Sequence, residues 1–151
     1  MQQRLPESAA LTDTTDKMLF DAAQSVRQRA HAPYSDYKVG AAVLDDQGRL
    51  HIGCNVENAS YPEGICAETN AIGSMVAAGG THIVAIAVVG GAGKAGGRFA
   101  DIDLCTPCGG CRQRILEFAD ADTRILMRGS AGVVETTIDD LLPDSFRPGS
   151  A

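Results

Sequence analysis

Three cysteines in two short motifs restrict this chain more than any other feature. Cys66 opens Cys66-Ala67-Glu68, and a pair stands about forty residues later in Pro107-Cys108-Gly109-Gly110-Cys111. If the three sulfurs act together, two distant segments must begin side by side in space. Three soft thiolates suit a tetrahedral zinc ion and leave its fourth corner open to water, which marks a catalytic rather than a closed structural site. Glu68, two residues past the first sulfur, does not share a ligand's direction on a helix. It can lie beside the open corner as an acid/base group.

C-x-x-C alone is ambiguous, because a dithiol redox pair or half of a structural zinc site carries the same spacing. The combination decides for catalytic zinc: a proline before the pair, a third cysteine opening another helix, and a glutamate two residues after it. The expected ligands are therefore Cys66, Cys108 and Cys111, with Glu68 catalytic. Five cysteines make an odd count. With three assigned to metal, Cys54 and Cys105 are expected as free thiols in a reducing, cytoplasmic compartment.

Taken in order, residues 1–14 read as a loose polar leader, residues 15–147 as one domain and residues 148–151 as a tail. Asp13, Thr14 and Thr15 offer N-caps to a helix reaching about Ala30, in which Met18, Leu19, Ala22, Ala23 and Val26 recur at helical spacing. Lys38 to Leu44 and Arg49 to Glu57 alternate as two strands around the turn Asp45-Asp46-Gln47-Gly48. Asn55 and Glu57 then share one strand face. That face is either an ordinary polar edge or a grip on sugar hydroxyls, and the alternation does not separate the two. A helix follows from Ile65 to Ala78, placing Cys66 in its first turn. Ile83 to Val89 is an unbroken apolar run, the mark of a central strand covered on both faces.

Gly91, Gly93 and Gly96 satisfy a dinucleotide-binding spacing after that strand, but no helix opens there, so a flexible loop is expected. Pro107 introduces a further helix from Cys108 to about Ala119. Arg124 to Met127 and Val133 to Thr137 read as strands, and Thr137 to Leu142 as a last helical turn.

The net charge is −6 and the pI near 4.9. No Lys/Arg stripe is present to neutralise phosphates, which argues against nucleic acid or an anionic membrane as partner. The N-terminus has no signal-peptide core, and no run approaches the ~18 apolar residues of a membrane span. A small substrate is expected.

The chain resembles the small, one-domain, homotetrameric cytidine deaminases. The resemblance runs from Ala32-Pro33-Tyr34-Ser35-Asp36-Tyr37-Lys38-Val39-Gly40-Ala41-Ala42 through Gly53-Cys54-Asn55-Val56-Glu57-Asn58-Ala59-Ser60-Tyr61. It continues through both cysteine motifs, the second extended by Arg112-Gln113, to Leu141-Leu142-Pro143-Asp144-Ser145-Phe146. It implies an α/β fold, a three-layer α/β/α sandwich around a mixed five-stranded sheet. It implies one zinc per subunit on Cys66, Cys108 and Cys111, and proton shuttling by Glu68. The implied reaction is hydrolytic deamination of cytidine and deoxycytidine to uridine and deoxyuridine plus ammonia, in pyrimidine salvage. Asn55 and Glu57 would hold the ribose, Tyr37 and Ala67 would line the base pocket, and Tyr61 and Phe146 would reach a neighbouring subunit's site. Two positions depart from the family. Tyr37 stands where many members carry Phe, and its hydroxyl needs a partner if buried. Thr69 stands where many carry an Arg thought to offset the excess thiolate charge, leaving that work to Arg112 or to the helix dipoles.

Overall fold

The computed structural model describes residues 7–8, 14–92 and 104–149. Its elements in chain order are β1 (Glu7–Ser8), α1 (Thr14–Arg27), β2 (Tyr37–Asp45), β3 (Leu50–Cys54), a single 3-10 turn (Tyr61–Glu63), α2 (Ala67–Ala77), β4 (Ile83–Ala92), α3 (Gly109–Phe118), β5 (Arg124–Gly129), β6 (Gly132–Thr136) and α4 (Ile138–Leu141). The strands form one sheet in the order β1-β6-β5-β4-β2-β3. It is mixed: β4 and β5 run parallel, and every other neighbouring pair is antiparallel.

The apolar run of β4 is explained by helices on both sides of the sheet. Ala85, Ala87 and Val89 pack with Leu19, Phe20 and Ala23 of α1. Ile86 and Val88, pointing the other way, pack with Ala71, Ile72 and Met75 of α2 and with Ile115 and Leu116 of α3. Side chains alternate across a strand, so a strand sandwiched between two helix layers must be apolar at every position. This is the expected three-layer α/β/α arrangement.

The expected five-stranded mixed sheet corresponds to β2 through β6. The sixth strand is the short β1, which falls within the segment read as a leader and pairs Glu7 with Val134 and Ser8 with Val133. Two residues carry no readable periodicity, so the sequence offered no signal for it. The first helix ends at Arg27, three residues early, because Gln28, Arg29 and Ala30 donate to carbonyls three residues back rather than four.

β4 runs on to Ala92, pairing Gly90 with Val39 and Gly91 with Lys38. Glycine is required at 90, where a Cβ would collide with the Cys105 thiol and the Tyr37 hydroxyl. The rest of the glycine-rich stretch, 93–97, lies outside the described residues.

Asp45 fixes the hairpin between β2 and β3. Its buried carboxylate accepts from the backbone N–H groups of Gln47 and Arg49, from Arg49 Nε at 2.8 Å, and bonds His51 Nε2 at 2.9 Å. Despite the upward push of burial, these partners hold it well below the usual carboxylate range.

Gly53 lets the first turn of α2 lie directly on the backbone of β3. A Cβ there would run into the Ala67 carbonyl oxygen and the Ala71 amide nitrogen, neither of which can swing aside. Gly53→Ala should therefore destabilise the fold by roughly 1–3 kcal/mol, the usual scale for overpacking. A thermal melt checks this, and an unchanged midpoint would show that α2 shifts freely.

Candidate active site

α2 and α3 begin next to each other, and each begins on a cysteine. Cys66 and Cys108 are the N-cap residues, both with extended backbone, and neither side chain turns back to cap its helix. This places Cys66 one position earlier than the expected first turn. The difference matters, because an N-cap side chain projects beyond the helix end while the free N–H groups and positive dipole end remain behind it. Cys111, one turn into α3, is fully buried.

The three sulfurs converge within 4.8 Å of one another. Cys66 Sγ and Cys108 Sγ are 3.7 Å apart. A tetrahedral zinc with bonds of about 2.3 Å needs sulfurs about 3.8 Å apart, so the donor set fits the ion in both chemistry and spacing. The electrostatics agree. The hydrogen bond from Cys111 is the largest influence drawing the Cys66 thiol down to about 6, and the same bond pushes Cys111 up. Three sulfurs packed this tightly cannot all shed their protons without a cation among them.

Glu68 lies beside them, 4% exposed. Burial is the largest cause raising its carboxyl to about 7, with the neighbouring Cys66 adding to the effect. A carboxyl poised there exchanges protons readily near neutral pH.

Cys66, Cys108 and Glu68 line a cavity of 430 Å³ whose walls also include Tyr37, Asn55, Glu57, Tyr61 and Ala67. Every substrate-contact residue expected from the sequence except Phe146 thus meets at one place. Phe146 is 79% exposed. Its carbonyl accepts from Gln113 Nε2 at 3.1 Å, which ties the C-terminal segment to α3. Tyr61 is 78% exposed, its ring edge-on to Tyr34 with centroids 6.1 Å apart.

Asn55 and Glu57 are not an ordinary solvent-facing edge. β3 stops at Cys54 rather than Glu57 because the Asn55 side chain takes over the pairing. Its Oδ1 accepts from Val39 N at 2.8 Å and its Nδ2 donates to the Tyr37 carbonyl at 2.9 Å. Glu57 Oε1 accepts from the N–H groups of Tyr34 and Ser35, both at 3.1 Å. Against the upward push of burial, those donors hold Glu57 below the usual carboxylate range. It therefore meets the cavity as an anion.

The Tyr37 hydroxyl finds its partner in the Cys105 thiol. Cys105 also lines the cavity, a role the sequence did not reveal because only the tertiary approach of residues 104–106 to β4 creates it. Burial pushes this thiol up to about 11, so it stays protonated. All five cysteines are free of disulfides, as expected for Cys54 and Cys105.

Arg112 does not turn to the sulfurs. Its Nε donates to the Pro107 carbonyl at 2.8 Å and its Nη1 to the Leu141 carbonyl at 2.7 Å, which clamps the second cysteine motif to α4. Thr69 Oγ1 lies 3.7 Å from Cys111 Sγ, a weak contact to a ligand atom.

Comparison with known proteins agrees with this geometry. Residues 13–127 match the family described as the cytidine and deoxycytidylate deaminase zinc-binding region. The chain is 37% identical over 131 residues to a cytidine deaminase of Halalkalibacterium halodurans, covering 86% of this chain and 92% of that one. It is 37% identical over 136 residues to a cytidine deaminase of Mycobacterium tuberculosis, covering 90% and 92%. Among solved structures, a cytidine deaminase from Burkholderia pseudomallei matches with a TM-score of 0.75 at 40% identity, covering 86% of this chain and 98% of that one.

Proposed function

Since the chain belongs to the cytidine and deoxycytidylate deaminase family, we propose that it hydrolyses the exocyclic C–N bond of cytidine and deoxycytidine, yielding uridine or deoxyuridine and ammonia. The observation that carries this reading is the clustering of three sulfurs within 4.8 Å of one another, two of them, Cys66 and Cys108, lining one cavity with the buried Glu68 carboxyl. Zinc, when bound by Cys66, Cys108 and Cys111, supplies the Lewis acidity that lowers the pKa of water from 15.7 to about 7.

The chain's own residues do the rest. Glu68 accepts the proton released as water adds to C4 of the base, and places it on N3 of the ring. The same carboxyl then carries the remaining water proton from the new hydroxyl on C4 to the amine, the C–N bond breaks as the C4 carbonyl forms, and ammonia leaves. Glu68 suits both directions because burial holds it near neutrality. Glu57 accepts from sugar hydroxyls through Oε2, its Oε1 being engaged by backbone donors. Asn55 does so with the capacity left by its two backbone bonds. The Tyr37 ring and Ala67 line the space for the base. The test is release of ammonia from cytidine, with single-stranded DNA as the contrasting substrate that the net charge of −6 disfavours.

The protein works as a homo-oligomer in the cytoplasm, in pyrimidine salvage. Free cysteines support the compartment. No helix among the described residues is long and apolar enough to cross a membrane. Two exposed aromatic rings, Tyr61 on the cavity wall and Phe146 on the C-terminal segment outside it, support assembly through these surfaces, most simply as a tetramer. Removing residues 146–151 should lower both the assembly state in light scattering and the turnover. A fully active monomer would contradict a site shared between subunits.

A further inference from the structure

We propose that Cys105 is a positioning residue for the base pocket: its thiol holds the tip of the Tyr37 ring and so fixes the wall on which the pyrimidine packs, a role that rests on the deaminase reading of that cavity.

Tyr37 enters the cavity from a main chain held on both sides. Its N–H donates to Ser35 Oγ at 3.0 Å, and its carbonyl accepts from Asn55 Nδ2 at 2.9 Å. It also pairs with Ala92 at the end of β4. With the main chain fixed, the place of the ring depends on its side-chain torsions and on what meets its far end.

Cys105 stands at that end. A Cβ built on Gly90 would lie 2.5 Å from Cys105 Sγ and 2.9 Å from the Tyr37 hydroxyl oxygen, so thiol and hydroxyl converge on one notch in β4. The thiol is 8% exposed and belongs to the core cluster between the sheet and α2 and α3, with Tyr37 packed against it. Neighbouring Leu104 bridges to Gly129 at the end of β5, which anchors the segment. Burial pushes the Tyr37 hydroxyl above its ordinary value and the Cys105 thiol to about 11. They therefore meet as a neutral pair and add no charge to a cavity that already holds Glu57 and Glu68. Cys105 lies three residues before Cys108, so the wall of the base pocket and the second cysteine motif share one support.

Steady-state kinetics with cytidine on the zinc-loaded full chain test this. Cys105→Ala should raise KM roughly fivefold, the scale of one hydrogen bond between neutral groups, and leave kcat within about twofold of wild type, because a pocket wall binds ground state and transition state alike. Cys105→Ser keeps a hydrogen-bonding group in place and should recover most of the loss. Tyr37→Phe removes the other half of the pair. It should cost about as much as Cys105→Ala, and the double variant no more than either alone. Near-ultraviolet circular dichroism gives a reading independent of turnover. The chain has three tyrosines and no tryptophan, and Tyr34 and Tyr61 are exposed, which leaves Tyr37 as the least exposed of the three. Its tyrosine signal should weaken in Cys105→Ala and return in Cys105→Ser.

An unchanged KM or an unchanged tyrosine signal in Cys105→Ala would overturn the proposal. So would losses that multiply in the double variant, which would show that the two side chains act separately. Should Cys105→Ala fail to fold, a wild-type KM in Tyr37→Phe would overturn it equally. A zinc-loaded wild type that releases no ammonia from cytidine would overturn the deaminase reading instead, a result separable from an active enzyme indifferent to Cys105.

Discussion

Glu68→Gln should leave a folded, zinc-loaded protein that turns cytidine over at least ~100-fold more slowly, the usual scale of general acid/base catalysis. Glutamine keeps the shape and the burial of the side chain but cannot take a proton from water or give one to a ring nitrogen. The buried position makes the substitution informative. Glu68 is 4% exposed, so no bulk buffer stands in easily for the missing carboxyl. Burial also holds the native group near 7, so the change removes an acid and a base at once. Zinc content, melting temperature and kcat should be measured on the same preparation. Retained zinc with turnover near the wild-type rate would remove Glu68 from the chemistry.

Cys111→Ala should have a comparably large effect by a different route. Its sulfur is the buried member of the cluster and lies against both Thr69 and Cys66, so its loss leaves two ligands on separate helix starts. Two sulfurs do not hold zinc as three do, and zinc per chain should fall from one toward none. Without the ion, water reverts from a pKa of about 7 to 15.7, and its hydroxide fraction at neutral pH drops by roughly eight orders of magnitude. Turnover should fall by well over about 10³-fold even if only part of that factor is expressed. The fold should survive, because Ala fits among Ala71, Ile115 and their neighbours in an apolar core. Full zinc occupancy in the variant would show that the ligand set is wrong.

The clustering of Cys66, Cys108 and Cys111, with Glu68 close by, was legible in the sequence because the motifs that place them are local. A thiol at a helix start is recognisable from the proline or turn before it and the apolar spacing after it. The layered fold was legible for a similar reason: β4 is apolar at consecutive positions, a pattern that requires cover on two faces.

What escaped the sequence depends on distant backbone meeting distant backbone. Asn55 ends β3 early because its side-chain amide, in place of its backbone carbonyl, bonds β2 at Tyr37 and Val39. Cys105 becomes a cavity wall only because Gly90 leaves room for it and for the Tyr37 hydroxyl. Arg112, a candidate for balancing the thiolates, is instead tied to carbonyls at residues 107 and 141, one of them from an element that sequence spacing does not connect to it.

The account depends on a metal ion held by Cys66, Cys108 and Cys111 that makes the cavity reactive toward cytidine. The most direct measurement follows the ultraviolet band of cytidine with the purified protein as isolated, after exhaustive chelation, and after stoichiometric zinc is returned. Steady loss of the band with ammonia release, arrested by chelation and restored by zinc, is the predicted result. Turnover that continues undiminished once the metal is gone, or a zinc-loaded protein that leaves cytidine intact, would contradict it.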